Sequence, residues 1–140
     1  MDKFILLDDD TVLIRAGQYV LGDPCYTTPD DDWLPLLESC DYFRGSPVAD
    51  IGGGKTILGF GTMHGDGCYY DNFGSSYPVD AGLLGLVPIE YAQLNEGKLY
   101  PDHIVNFDKD TRAIDNGGGR LTFGQYTINT DYEILEEDEE

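Results

Sequence analysis

With 140 residues, 41% of them apolar, the chain is long enough to bury one hydrophobic core and too apolar to be disordered throughout. Its 27 acidic and 8 basic residues give a net charge of −19, which excludes direct binding to nucleic acid or to an anionic membrane by charge attraction. The longest apolar run, residues 83–89, is far shorter than the ~20 residues of a membrane-spanning helix.

The first elements in chain order are short strands, followed by one helix. Apolar runs bounded by turn residues predict strands at 4–7, 11–15 and 18–21. Thr28 can cap a helix, Pro29 suits its first position, and the acids at 30–32 complement its dipole. Helical spacing then forms an apolar stripe from Trp33, Leu34, Leu36, Leu37 and Cys40.

The middle of the chain predicts a loop, a central strand and a hairpin. Residues 45–54 are predicted as a loop whose triplet 52–54 forms a glycine-rich hairpin turn before a strand at 55–63. Gly59 and Gly61 in that strand indicate a bulge or a close backbone approach. A tight hairpin follows at 68–71 and 76–80, then a buried strand at 83–87 and a short helix at 88–92.

The last third alternates strands and turns. Strands are predicted at 103–107, 111–114, 120–123 and 126–129. The acidic turn at 108–110 resembles the start of a calcium loop, but Gly119 stands where that loop needs a Glu, so we expect a polar turn. The predicted fold is α+β and β-rich, a curved antiparallel sheet or partly open barrel with one or two short helices. We expect residues 1–135 to form a single domain and 136–140 to be a disordered acidic tail.

A five-residue signature occurs twice, and it is the most specific feature of the sequence. Gly-Asp-Pro-Cys-Tyr at 22–26 returns as Gly-Asp-Gly-Cys-Tyr at 65–69, and each copy follows a predicted strand. Gly permits a sharp exit from a strand, and Asp can bond its own backbone in a turn. We expect Cys and Tyr to return the chain inward, with the thiol buried and the phenol hydrogen-bonded.

The signatures resemble those of a family of small proteins, without assigned activity, from tailed phages and bacteria. The resemblance covers roughly residues 16–91 and depends on residues 17–26, 33, 61–69 and 77–82. It implies a phage or prophage origin and a setting in the cytoplasm of the infected cell, and it transfers no catalytic residue. The three cysteines, Cys25, Cys40 and Cys68, lack zinc-ligand spacing, and the N-terminus lacks a basic signal-peptide region. Reduced thiols in a cytosolic protein agree with that setting.

These residue types are compatible with three kinds of chemistry. A cysteine nucleophile would use Cys25 or Cys68 with His64 or His103 as base, although no cationic neighbour favours a thiolate. A calcium or magnesium site would use oxygens from loop aspartates. This metal alternative involves Asp23, Asp66, Asp71 and Asp80, with His64 as a nitrogen ligand. A carboxylate pair, Asp23 with Asp66, could perform acid–base catalysis.

A structural interpretation competes with all three: two similar loops at one end of a sheet, with Asp binding backbone donors. The strongest functional competitor is a pocket between the loops, with aromatic walls and carboxylate anchors. Its predicted ligand-binding residues are Asp23, Cys25, Tyr26, Trp33, His64, Asp66, Tyr69 and Asp80. The glycine triplet before Lys55 lacks the Walker pattern, and we expect no catalytic residue, metal or cofactor.

The excess of acid leads to the predicted function. Removing the seven acids of the last ten residues still leaves −12 on the other 130. Such a field attracts basic protein surfaces. We therefore expect a non-enzymatic, phage-type protein in the host cytoplasm that binds a host protein with a basic surface and mimics nucleic acid. The alternative is a small-ligand-binding domain with its pocket between the two signature loops.

Overall fold

The computed structural model describes residues 3–8, 10–24, 47–50, 56–63, 67–79, 82–90, 92 and 103–130. These residues form antiparallel strands and no α-helix. The strands are β1 (Phe4–Asp8), β2 (Thr11–Ile14), β3 (Gly17–Gly22), β4 (Val48–Asp50), β5 (Thr56–Gly61), β6 (Gly67–Tyr70), β7 (Ser76–Val79), β8 (Leu83–Pro88), β9 (Ile104–Phe107), β10 (Thr111–Asp115), β11 (Arg120–Phe123) and β12 (Tyr126–Asn129).

The strands build two five-stranded sheets and one hairpin. The first sheet has the order β1-β2-β10-β11-β12, and the second has the order β4-β5-β8-β3-β9. Strands β6 and β7 pair with each other as a separate hairpin. Every pairing is antiparallel, and neither sheet closes into a barrel. The β-rich, antiparallel class predicted from the sequence is therefore confirmed.

Both sheets and the hairpin contribute to one hydrophobic core. The alternation of buried and exposed residues in β9 and β11 directs every second side chain into it, as expected for strands with one face on a core. The hairpin contributes Tyr69, Tyr77 and Val79. The sheets contribute Phe4, Val12, Ile14, Tyr19, Leu21, Leu58, Phe60, Leu84, Leu86, Val105, Phe107, Ala113, Leu121, Phe123 and Ile128.

A row of glycines crosses the second sheet. Gly22 in β3 and Gly59 in β5 both lie opposite Gly85 in β8. A Cβ on Gly85 would overlap the carbonyl oxygen of Leu58 and lie 2.8 Å from the Gly59 Cα. The predicted close backbone approach at Gly59 is therefore confirmed, and the continuous register between β5 and β8 shows no bulge there.

Two predictions from the sequence are wrong. The predicted loop at 45–54 contains β4, because Val48 and Ala49 extend the sheet by pairing with Leu58 and Ile57 of β5. The helix predicted at 88–92 does not begin at Pro88, because the Ile89 amide donates to Gln18 O at 3.0 Å and prolongs the ladder with β3. The helix predicted from Thr28 lies outside the described residues, as do the turn predicted at 52–54 and the tail at 136–140.

The polar turn predicted at 108–110 connects the two sheets. It leads from β9 in the second sheet to β10 in the first. Asp110 accepts a hydrogen bond from the Ala16 amide at 2.9 Å and forms an ion pair with Arg15 at 3.3 Å. Both partners lie in the connection that crosses from β2 in the first sheet to β3 in the second. The carboxylate thus joins two neighbouring crossings between the sheets. In the part of the chain that is described, no helix is long and apolar enough to cross a membrane.

Candidate functional site

The strands that lead into the two signature loops end at the same edge of the second sheet. Both β3 and β5 pair antiparallel with β8, which lies between them, so they run in the same direction. Gly22 at the end of β3 and Gly59 near the end of β5 share the partner Gly85. Twin signatures at one end of a sheet were predicted, and the geometry of the preceding strands agrees.

Two further connections reach this edge. Strand β8 begins there, and the Thr62 amide after β5 donates to Gly82 O at 2.9 Å, just before β8. Strand β9 also begins there, because it pairs antiparallel with β3 and places His103 beyond the Val20–Ile104 pair. We call Gly22, Asp23, Thr62, Gly82 and His103 the signature edge.

The β6–β7 hairpin packs beside the signature edge. The His103 ring stacks on Tyr77 with the centroids 4.7 Å apart, and its Nε2 donates to Ser76 O at 2.8 Å. A Cβ on Gly22 would lie 3.9 Å from the Tyr77 ring. Gly22 has a φ of 156°, a backbone conformation that residues other than glycine rarely adopt. The hairpin thus supports the strand ends from which the first signature departs.

Asp71 secures this hairpin from inside. Its Oδ1 accepts hydrogen bonds from the amides of Phe73 at 2.8 Å and Ser75 at 3.0 Å, and its Oδ2 accepts one from the Tyr77 hydroxyl at 2.7 Å. Asp71 is 8% exposed and Tyr77 is fully buried. Two amides and a phenol therefore use the oxygens that the metal alternative requires from Asp71. Among the described residues, no three His, Cys, Asp or Glu side chains lie together in a way that could hold a metal ion.

Asn72 attaches the hairpin to the first sheet. Its side-chain amide donates to Gln125 O at 3.1 Å, and its oxygen accepts from the Thr127 amide at 2.8 Å. One residue earlier, Asp71 forms a β-bridge with Ile128. The side chain of Asn72 thus hydrogen-bonds to the backbone at the start of β12, as a neighbouring strand would. These bonds fix the hairpin between the two sheets.

The described residues include two of the predicted ligand-binding side chains. Asp23 is 2% exposed and follows β3 directly. Tyr69 is fully buried within the core, so its ring does not face solvent. Cys68 is half-buried, less enclosed than the signature predicted, because it points away from the core at the start of β6. The other predicted residues, Cys25, Tyr26, Trp33, His64, Asp66 and Asp80, lie outside the described residues.

Sequence reasoning missed two features of this region. His103 was considered only as a base for a cysteine, and no spacing signal indicates that it stacks beside the end of β3, since its position depends on strand order. The bond between Asp71 and Tyr77 could have been found, because the two residues flank the predicted tight turn at 72–74 in a hairpin. Placing that pair beside His103 still required the fold.

The described part of the chain carries little of the net charge. Its residues include nine acids and five bases, a net charge of −4, whereas the whole chain carries −19. Asp23 and Asp71 among those acids are buried, and Asp110 and Glu90 form ion pairs. The hydrogen bond from Lys3 lowers the pKa of Glu90, and the hydrogen bond with Asp8 raises the pKa of Asp10. Most of the acid therefore lies in the remaining segments of the chain.

Comparison of the chain with models of known protein families, with curated proteins and with solved structures finds no match. The resemblance to small phage and bacterial proteins therefore stays a prediction.

Proposed function

We propose that this protein is a non-enzymatic interaction protein whose acidic segments bind a basic surface of another protein. The observation that carries the proposal is the division of charge between the framework of described residues, at −4, and the rest of the chain, at −15. Solubility of a small domain requires a net charge of magnitude ~2–8. The excess resides in segments attached to an almost neutral framework.

The distribution along the sequence supports this proposal. Residues 30–32 are three consecutive aspartates, and the last ten residues contain seven acids and no base. Closely spaced carboxylates produce a field that steers a basic surface toward them, as a phosphate backbone does. We therefore infer mimicry of nucleic acid. The resemblance to phage proteins makes a host protein in the host cytoplasm the proposed partner.

The salt dependence of binding tests this proposal. The intact protein is immobilised, proteins from a bacterial lysate are captured, and the affinity of any captured partner is measured from 50 to 300 mM salt. We expect the affinity to fall steeply with ionic strength. Neutralising two acids of the tail, Glu136→Gln and Asp138→Asn, should reduce the slope, whereas the matched change Asp8→Asn and Asp108→Asn on the framework should alter it little. An affinity independent of salt would contradict the proposal.

A second candidate function is small-ligand binding at the signature edge. The observation that favours it is convergence: the chain reaches this one edge after β3, after β5, before β8 and before β9. Asp23 lies there as a buried carboxylate, and His103 lies on the Tyr77 ring. Loops positioned by a rigid sheet are common binding sites. Native mass spectrometry of freshly purified protein should then show a bound small molecule that Asp23→Asn releases, and a single mass equal to the chain would contradict this candidate.

A further inference from the structure

The turn that joins β10 to β11, residues 116–119, contains the only Asn-Gly sequence of the chain. Asn116, Gly117 and Gly118 are all exposed to solvent. The backbone nitrogen that follows an asparagine can attack the side-chain carbonyl carbon, and glycine shields this nitrogen least because it has no side chain. A Cβ built on Gly117 would meet no atom within 4 Å, so the tip of the turn is open to water.

The side-chain carbonyl of Asn116 is held by two backbone amides. The Gly118 amide donates to Asn116 Oδ1 at 2.8 Å, and the Arg120 amide donates to the same oxygen at 3.1 Å. Two donors on one carbonyl oxygen stabilise the negative charge that develops there when a nucleophile adds to the carbon. The backbone of the turn thus forms an oxyanion hole for its own asparagine.

Asp115 contacts the nucleophile. The Gly117 amide donates to Asp115 Oδ1 at 2.9 Å. This carboxylate oxygen therefore accepts the hydrogen bond of the very proton that Gly117 must lose when its nitrogen attacks. A general base must lie within hydrogen-bond reach of the proton that it removes, and Asp115 meets this condition.

Neighbouring strands fix the turn at both ends. The Asp115 amide donates to Asp10 O at 3.0 Å, which ties the start of the turn to the end of the β1–β2 hairpin. Gly119 O accepts hydrogen bonds from the Thr130 amide at 2.7 Å and from the Thr130 hydroxyl at 2.6 Å. Reacting groups that the fold holds in place react faster than the same groups on a freely moving chain.

We propose that this turn modifies itself and converts Asn116 to aspartate or isoaspartate. Asp115 Oδ1 takes the amide proton of Gly117 as its nitrogen bonds to Asn116 Cγ and closes a succinimide ring. The bond between Cγ and Nδ2 breaks, and Nδ2 leaves as ammonia with the proton that Asp115 returns. Water then opens the ring at either carbonyl. Both products carry one more negative charge than asparagine, and isoaspartate also lengthens the backbone of the turn by a methylene group.

The conversion is measured on the full chain without any variant. Native protein and protein unfolded in urea are incubated at neutral pH, quenched in acid and digested, and mass spectrometry follows the replacement of the amide by a carboxyl group at each asparagine. We expect Asn116 to convert faster in the native protein than in urea, because only the fold assembles the base and the oxyanion hole. The other four asparagines should stay intact over the same period; they are Asn72, Asn95, Asn106 and Asn129.

A pair of variants tests the role of Asp115. Asp115→Asn keeps an oxygen that accepts from the Gly117 amide but cannot take its proton. General-base catalysis contributes ~10²–10⁴-fold, so this variant should slow the native conversion by about tenfold or more. Its rate in urea should equal that of the wild type. The matched control Asp108→Asn removes the same charge from the turn before β10 and should leave the native rate unchanged.

Two results would overturn the proposal. One is slower conversion of Asn116 in the native protein than in urea, because the bonds from Gly118 and Arg120 would then protect the side chain. The other is the same native rate in Asp115→Asn and Asp108→Asn, which would leave Asp115 without a part in the reaction. The comparison of native with unfolded wild type decides the question even if Asp115→Asn fails to fold. Neither result bears on the binding of a basic partner.

Discussion

Replacing Asp71 with Ala should loosen the β6–β7 hairpin and destabilise the fold. The change removes the acceptor of three hydrogen bonds, from the amides of Phe73 and Ser75 and from the hydroxyl of Tyr77. The turn amides can bind water after the change, because Phe73 is exposed and Ser75 half-buried. The Tyr77 hydroxyl cannot, because this side chain is fully buried.

The loss of the Tyr77 bond dominates the magnitude. A hydrogen bond to a charged group contributes about 1.5–3 kcal/mol. The turn amides add less, since water replaces the carboxylate. We therefore expect Asp71→Ala to lower the free energy of unfolding by about 3 kcal/mol, measured by urea denaturation with far-ultraviolet circular dichroism.

A neighbouring variant and a double-mutant cycle provide the controls. Asn72→Ala at the same turn removes two exposed bonds, to Gln125 and Thr127, so it should cost about 1 kcal/mol or less. Combining Asp71→Ala with Tyr77→Phe should reveal a coupling of about 1–2 kcal/mol. A loss below about 1 kcal/mol for Asp71→Ala would refute the reasoning, given the expected magnitude. Stabilisation of the wild type by calcium that Asp71→Ala abolishes would restore the metal alternative.

Three further predictions concern the sheet, the charges and the tail. Gly85→Ala should prevent folding, because its Cβ meets backbone of the adjacent strand, whereas Gly61→Ala, with no atom within 4 Å, should be nearly neutral in thermal melts. Lys3 lowers the pKa of Glu90, so their ion pair stabilises the fold at pH values above the unfolded pKa of Glu90. This stabilisation is lost as the pH falls through the folded pKa. Glu90→Gln should therefore remove a pH-dependent contribution to the free energy of unfolding of less than about 1 kcal/mol. Deleting residues 136–140 should leave the melting temperature within about 1 °C, since consecutive acids bury no apolar surface, and a loss of several degrees would show that the tail docks.

Local patterns predicted most strands because each depends on nearby residues. The runs at β11 and β12 match their predicted bounds, since alternating side chains between turn residues define them. Strand β4 was missed because three residues gain their strand geometry only from pairing with β5. The helix at 88–92 was wrong because local preference at Pro88 was overridden by a partner in β3, about 70 residues earlier in the chain.

The candidate site was predicted less completely than the strands. The twin signatures predicted two loops at one end of a sheet, and the strands that precede them, β3 and β5, run in one direction and end at the same edge. The order of the second sheet, with β3 between β8 and β9, could not be predicted from local patterns. His103 stacks on Tyr77 as a result of that order, so sequence spacing alone could not place it at the edge.

Competition with nucleic acid tests the proposed function most directly. A basic partner captured by the intact protein is mixed with a labelled DNA duplex that it binds, and the protein is added in increasing amounts. Mimicry of a phosphate backbone predicts that the duplex is fully displaced, at a protein concentration that rises steeply with ionic strength. A partner that holds the protein and the duplex at the same time, with no displacement at any salt concentration, would contradict the proposal and leave the signature edge as the functional site.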